Sequence, residues 1–185
     1  MALTPTTTIE LGFQAPDFSL PEPLTGKTRS LSELKGEKAT VIIFMCNHCP
    51  YVIHVIDELI QTARDYQPQG VQFVGINAND VENYPDDSPE NMKRWARELD
   101  FPFPYLFDET QEVAKAYDAA CTPDFSVFDA DLSCVYRGRL DGSRPNNEVP
   151  VTGKDLRTAL DAILQGEPIP DPQLPSMGCN IKWKK

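Results

Sequence analysis

Cys46-Asn47-His48-Cys49 is the segment of this 185-residue chain whose residue types and spacing could do chemistry. Two cysteines three positions apart in a first helical turn stand about 5–6 Å apart, within the reach of a disulfide. They follow Thr40 to Met45, a continuously apolar, β-branched run that reads as a strand buried on both faces. They precede Val52, Ile53, Ile56, Leu59, Ile60 and Ala63, which recur at helical spacing. A strand-to-helix junction offers unpaired backbone N–H groups and the positive end of a helix dipole, and both favour a thiolate. Such placement lowers a cysteine pKa from about 8.5 to roughly 3.5–7.5. The thiolate is the attacking species in thiol–disulfide exchange. On this reading Cys46 is the exposed nucleophile and Cys49, half a turn deeper, resolves the mixed disulfide. Asn47 and His48 tune the pair, a protonated His48 stabilising the Cys46 thiolate and making the oxidised form easier to reduce. Pro50 falls in the first turn, where a missing N–H is tolerated, and fixes the helix start.

The same residues admit two other readings. Two buried cysteines can simply pack as small apolar groups. Cys46, His48, Cys49 and His54 are also four soft ligands, and the two histidines are the only ones in the chain. Structural zinc sites draw their ligands from two separated clusters, however, and no second cluster follows. Neither a metal nor an organic cofactor is expected.

Acidic residues outnumber basic ones 28 to 17, for a net charge of -11. That balance argues against nucleic-acid or anionic-membrane partners. The first residues lack a basic start followed by an apolar run, and Val41 to Met45 is too short to span a bilayer. A cytoplasmic location is therefore expected, where a close cysteine pair is catalytic or metal-binding rather than a structural staple.

The elements that must position the pair are legible as patterns. Residues 10–38 read as a β-hairpin region with loops, broken by Pro16, Pro21, Pro23, Gly26 and Gly36. After the core strand and its helix come a buried strand over Val71 to Ile76, a loop over 77–89, and a helix that Ser88 caps with Pro89 first. A short strand at Tyr105 to Phe107 leads to a helix capped by Thr110, spanning about Gln111 to Ala119. Strands at Phe125 to Phe128 and Cys134 to Leu140 form a hairpin, and Gly153 to Gln165 is an amphipathic helix. The order β-α-β-α-β-α-β-β-α implies one α/β domain over 10–166, with a central mixed sheet and helices on both faces. Residues 167–185 form a Pro-rich tail, expected to lie extended over the domain surface with Trp183 as its anchor.

Taken together, these motifs resemble the thioredoxin-like superfamily, in its peroxiredoxin-like (alkyl hydroperoxide reductase/thiol-specific antioxidant) and membrane-anchored reductase branches. The resemblance covers about residues 10–166 and rests on Gly12-Phe13-Gln14-Ala15-Pro16-Asp17-Phe18-Ser19-Leu20, Leu31-Ser32-Glu33-Leu34-Lys35-Gly36, Phe103 to Asp108 and Thr122 to Asp129. Uncharacterised peroxiredoxin-like proteins with Cys-Asn-His-Cys-Pro-Tyr-Val and a Gly-Cys-x-Ile-Lys-Trp ending are similar at both motifs, here Cys46 to Val52 and Gly178 to Trp183. The resemblance implies a thioredoxin-like fold with an N-terminal β-hairpin extension. It also implies a cis Thr122–Pro123 bond facing the cysteines, where Thr122 offers its backbone to an extended partner peptide.

Two departures stand out. Aligning Cys49 with the peroxide-reactive cysteine of true peroxiredoxins puts Cys46 and Ile42 where those enzymes hold a hydroxyl residue and a proline. Thioredoxins keep a tryptophan before the pair and a buried acid in the preceding strand; here Met45 replaces the first, and no carboxylate lies between Glu37 and Asp57. Proton handling must run through His48 or water instead. Cys121, beside Thr122-Pro123, is either a third redox thiol or a small buried residue, and Cys134 reads as core. Cys179 either seats the tail or is brought by it toward the redox site. The function expected is a thiol–disulfide oxidoreductase acting on a protein disulfide or thiol. A thiol-dependent peroxidase acting on peroxide, a metal-binding or metallochaperone module and a non-catalytic binding domain are the alternatives.

Overall fold

The computed structural model describes residues 3–185. The central strand β4 (Ala39–Phe44) is buried at all six positions because both of its faces are covered. Side chains alternate across it. Ala39, Val41 and Ile43 point into one core with Val52, Ile56, Leu59, Leu156 and Leu160. Ile42 and Phe44 point into a second, with Phe18, Leu20, Leu106, Tyr117 and Phe128.

Parallel strands β5 (Val71–Asn77) and β6 (Tyr105–Phe107) lie on one side of β4. Antiparallel β8 (Asp124–Asp129) and β9 (Cys134–Gly138) lie on the other, giving the order β6-β5-β4-β8-β9. Helices α2 (Pro50–Tyr66), α3 (Pro89–Glu98) and α5 (Lys154–Gln165) send buried residues into the first core. The short helices α1 (Leu31–Leu34) and α4 (Glu112–Ala116), with the hairpin β2 (Ser19–Glu22) and β3 (Lys27–Ser30), cover the second. This mixed sheet flanked by helices, with its N-terminal hairpin, is the thioredoxin-like arrangement.

Local signals account for the element starts. Ser30 and Glu33 form a reciprocal capping box on α1, and Ser88 accepts from the Asn91 N–H at the head of α3. At α4 the expected boundaries shift. Gln111, with φ of 65°, is the capping residue, and Thr110 only accepts a 3.3 Å bond from the Glu112 N–H. The Gln111 side chain is drawn away to the carbonyls of Ala78 and Lys182, and α4 closes after five residues.

The tail differs from an extended surface strap. Its residues 177–180 form β10 (Met177–Asn180), inserted antiparallel between β1 (Leu3–Pro5) and β7 (Cys121–Thr122). Nor is Trp183 its anchor: the ring is 39% exposed, with the Lys115 ammonium 5.9 Å above it. Ile181, 1% exposed, enters the second core instead. Backbone bonds from Ile181 N–H to Ala120 and from Asp80 N–H to Lys182 hold the segment in place. A tryptophan two residues further on is left at the rim.

Gly178 lets β10 approach this closely, since a Cβ there would lie 2.0 Å from the Thr122 carbonyl oxygen. Gly178→Ala is therefore expected to lower stability by about 1–3 kcal/mol, as overpacking does. Urea unfolding checks this, and an unchanged midpoint would contradict the close approach.

Candidate active site

Both cysteines of the pair lie in the turn between β4 and α2, with Cys49 as the residue that caps the helix and Pro50 at its first position. The expected exposure of Cys46 is not found. Cys46 is 1% and Cys49 0% exposed, because β10 lies over the site and Thr122 closes it from the side. The Thr122 hydroxyl is 3.5 Å from the Cys46 sulfur, and the Thr122 carbonyl oxygen lies 3.2 Å from the Cys49 sulfur. The Thr122–Pro123 bond is cis, as the resemblance implies. Cys179 meets the site from the tail, its sulfur 2.8 Å from that of Cys49.

The surroundings of the reduced cluster favour charge on Cys49 and disfavour it on Cys46. Hydrogen bonds from Cys179 and Cys46 hold the Cys49 pKa well below the ordinary thiol range, and the Val52 backbone N–H at the helix start adds to this. Cys46 is pushed up because it donates to Cys49, because it is buried, and because the Asp87 carboxylate is near. Cys179 is raised by the same donation to Cys49 and by burial. Cys121 is fully buried at 3.9 Å from the Thr6 hydroxyl, and burial raises its pKa. Cys134 is also core, pushed up to about 12 by burial.

The acid missing from β4 arrives from a distant segment. Asp87 ends the short 3-10 turn Pro85–Asp87 and is fully buried. One carboxylate oxygen accepts the backbone N–H groups of Asn47 (2.8 Å) and His48 (3.3 Å). The other accepts from Asn79 Nδ2 (2.8 Å) and lies 2.6 Å from His48 Nδ1. Asn77 Nδ2 holds the Asp87 carbonyl at 3.1 Å, and the buried Tyr105 hydroxyl fixes Asn47 Oδ1 at 2.9 Å. His48 therefore directs its charge to Asp87 instead of to the Cys46 thiolate, and its ring stacks on Tyr84. Asp87, Asn77, Asn79 and Tyr105 carry no local motif. The run of Asn and Asp from the end of β5 through the following loop is the only sequence signal for three of them.

Cys46, His48 and Asp87 bring ligand atoms within 4.8 Å of one another, while His54 stands apart, bonded to Ser143 Oγ at 2.7 Å. The four cysteine and histidine side chains weighed as zinc ligands are thus not gathered at one point. Asp87 already accepts four bonds, which leaves it a poor metal ligand.

The hydrogen bond to Asp87 raises the His48 pKa above its usual value. This pair's contribution to stability is complete below the unfolded histidine pKa of about 6.5, and it fades as pH rises through the higher folded value. Asp87→Asn is expected to bring the His48 titration, followed by NMR, back toward or below 6.5 and to cost about 3–5 kcal/mol. An unmoved His48 titration would contradict the pairing.

A solved structure of an uncharacterized conserved protein from Geobacillus kaustophilus is similar over 100% of this chain and 97% of its own, at 61% identity and TM-score 0.98. A hypothetical protein from Sinorhizobium meliloti 1021 is 43% identical over 98% of both chains, with TM-score 0.95. Among curated relatives, the thiol-disulfide oxidoreductase ResA of Geobacillus thermodenitrificans is 26% identical over 163 residues, 86% of this chain and 82% of that protein. The AhpC/TSA family model matches residues 11–137, which include β4, the cysteine pair and the cis-proline strand. With that match spanning well over half of its length, the chain belongs to the AhpC/TSA family.

Proposed function

We propose that this protein is a thiol–disulfide oxidoreductase whose Cys46 and Cys49 exchange two electrons with a protein disulfide or thiol. The observation that carries this reading is the Cys49 sulfur at the start of α2, surrounded by groups that stabilise its charge and with Cys46 as its immediate neighbour. The curated ResA relatives bear the same activity in their names. Attack follows the charge. The Cys49 thiolate attacks one sulfur of a partner disulfide, and the partner's other sulfur leaves as a thiolate. Cys46 then loses its proton and attacks Cys49, forming the Cys46–Cys49 disulfide and releasing the partner's second sulfur. The Asp87–His48 pair, within 4.8 Å of the Cys46 sulfur, is the proton-handling group at hand. Asn47, His48, Tyr51 and Met177 are half-buried and form the rim a partner meets.

This assigns the attacking role to Cys49 and the resolving role to Cys46, the reverse of the order expected from chain position. Peroxide stands second as a substrate, since Cys46 and Ile42 occupy the positions of the hydroxyl and proline that serve peroxide reduction in true peroxiredoxins.

Dithiol-driven reduction of insulin disulfides tests the assignment. Cys46→Ser and Cys49→Ser are each expected to drop the rate to the uncatalysed background, while Cys134→Ser changes it little. Cys46→Ser should also accumulate a mixed disulfide between Cys49 and the substrate, which Cys49→Ser does not form. A Cys49→Ser protein that turns over normally would refute the proposal.

A further inference from the structure

A third sulfur at 2.8 Å from Cys49 is not accounted for by a two-cysteine cycle. Its position is set on two sides: Cys179 is registered opposite Leu3 of β1 and opposite Thr122 of β7. The flanking residues fix the strand further. Ser176 Oγ donates to the Pro123 carbonyl at 2.6 Å, and the Thr6 N–H donates to the Ser176 carbonyl at 2.9 Å. Beyond the strand, the Lys182 N–H bonds Asn79 Oδ1 and the Lys184 N–H bonds Gln111 Oε1, both at 2.8 Å. Gly178 removes the one side chain that would keep the strand away from Thr122. A small apolar residue would suffice merely to seat a tail. Here the strand instead delivers a thiol to the same sulfur that faces Cys46.

We propose that Cys179 is a third redox thiol, exchanging places with Cys46 as the disulfide partner of Cys49. The inference rests on the thiol–disulfide reading above and extends it to the tail. Once the Cys46–Cys49 disulfide has formed, the Cys179 thiolate attacks the Cys49 sulfur. The bond between Cys46 and Cys49 breaks as the bond between Cys49 and Cys179 forms. Cys46 leaves with the electron pair and takes up the proton that Cys179 gave up. No electrons enter or leave, so the step needs no outside oxidant. The product ties β10 covalently to the head of α2 and returns Cys46 to the thiol state. A reductant that opens this second disulfide returns Cys49 and Cys179 to the free thiols seen here, with the strand still seated over the site.

The test uses the full chain and trypsin. Cleavage after Lys38, Arg64, Arg157 and Lys182 places Cys46 and Cys49 in the peptide 39–64 and Cys179 in the peptide 158–182. In Cys46→Ser, treatment with oxidised glutathione should join these two peptides and remove two alkylatable thiols. Cys49 stably glutathionylated, with Cys179 still alkylated, would overturn the proposal. The native sequence provides a check that does not depend on a variant folding. One equivalent of oxidised glutathione should leave three of five thiols alkylatable and yield both the internally bridged 39–64 peptide and the cross-linked pair. The internal bridge alone overturns the exchange and spares the two-cysteine reading. No disulfide at Cys46, Cys49 or Cys179 overturns both.

Discussion

The Cys49 sulfur sits at the first turn of α2, 3.2 Å from the Thr122 carbonyl and 2.8 Å from the Cys179 sulfur, with no exposure to solvent. A buried charge is costly unless neighbouring groups satisfy it. Here two thiols that donate and a backbone N–H at the positive end of a helix hold that charge, and they outweigh the penalty of burial. The rest of the structure serves this placement. Strand β4 fixes where the turn begins, α2 fixes where the dipole points, and β7 with β10 fixes the two walls against which the sulfur rests.

The carboxylate of Asp87 reinforces the bias that keeps charge off Cys46, after the hydrogen bond to Cys49 and burial. It lies close enough to Cys46 to disfavour a thiolate there, and it ties down the backbone of Asn47 and His48 at the same time. It also draws the His48 ring into a 2.6 Å pair, so the histidine between the cysteines no longer acts as their counter-ion. One buried acid, reached across the loop after β5, thus sets the loop geometry and adds to the polarity of the dithiol.

Much of the fold was written in local patterns. The β-branched run before the cysteines, the helical spacing after them and the Ser88-Pro89 start of α3 each depend on near neighbours, and each predicted its element to within a residue or two. The site was legible only in part. Cys46, Cys49, Thr122 and Pro123 could be named because the motif and the resemblance mark them. Their burial could not be read, since it depends on a strand 130 residues from Cys49 that inserts between β1 and β7. Asp87 escaped for the same reason: its partners at 47, 48 and 79 come together only through the parallel crossover from β4 to β5. Prolines in the tail argued correctly against a helix, but nothing in them distinguished a surface strap from a buried third strand.

The most direct test of the central claim is the site-resolved titration of the three thiols by the ¹³Cβ shifts of selectively labelled cysteine. Cys49 should ionise first, well below the ordinary thiol value of about 8.5, while Cys46 and Cys179 stay protonated far above it. Ionisation of Cys46 ahead of Cys49, or a Cys49 titration at the ordinary value, would contradict the account.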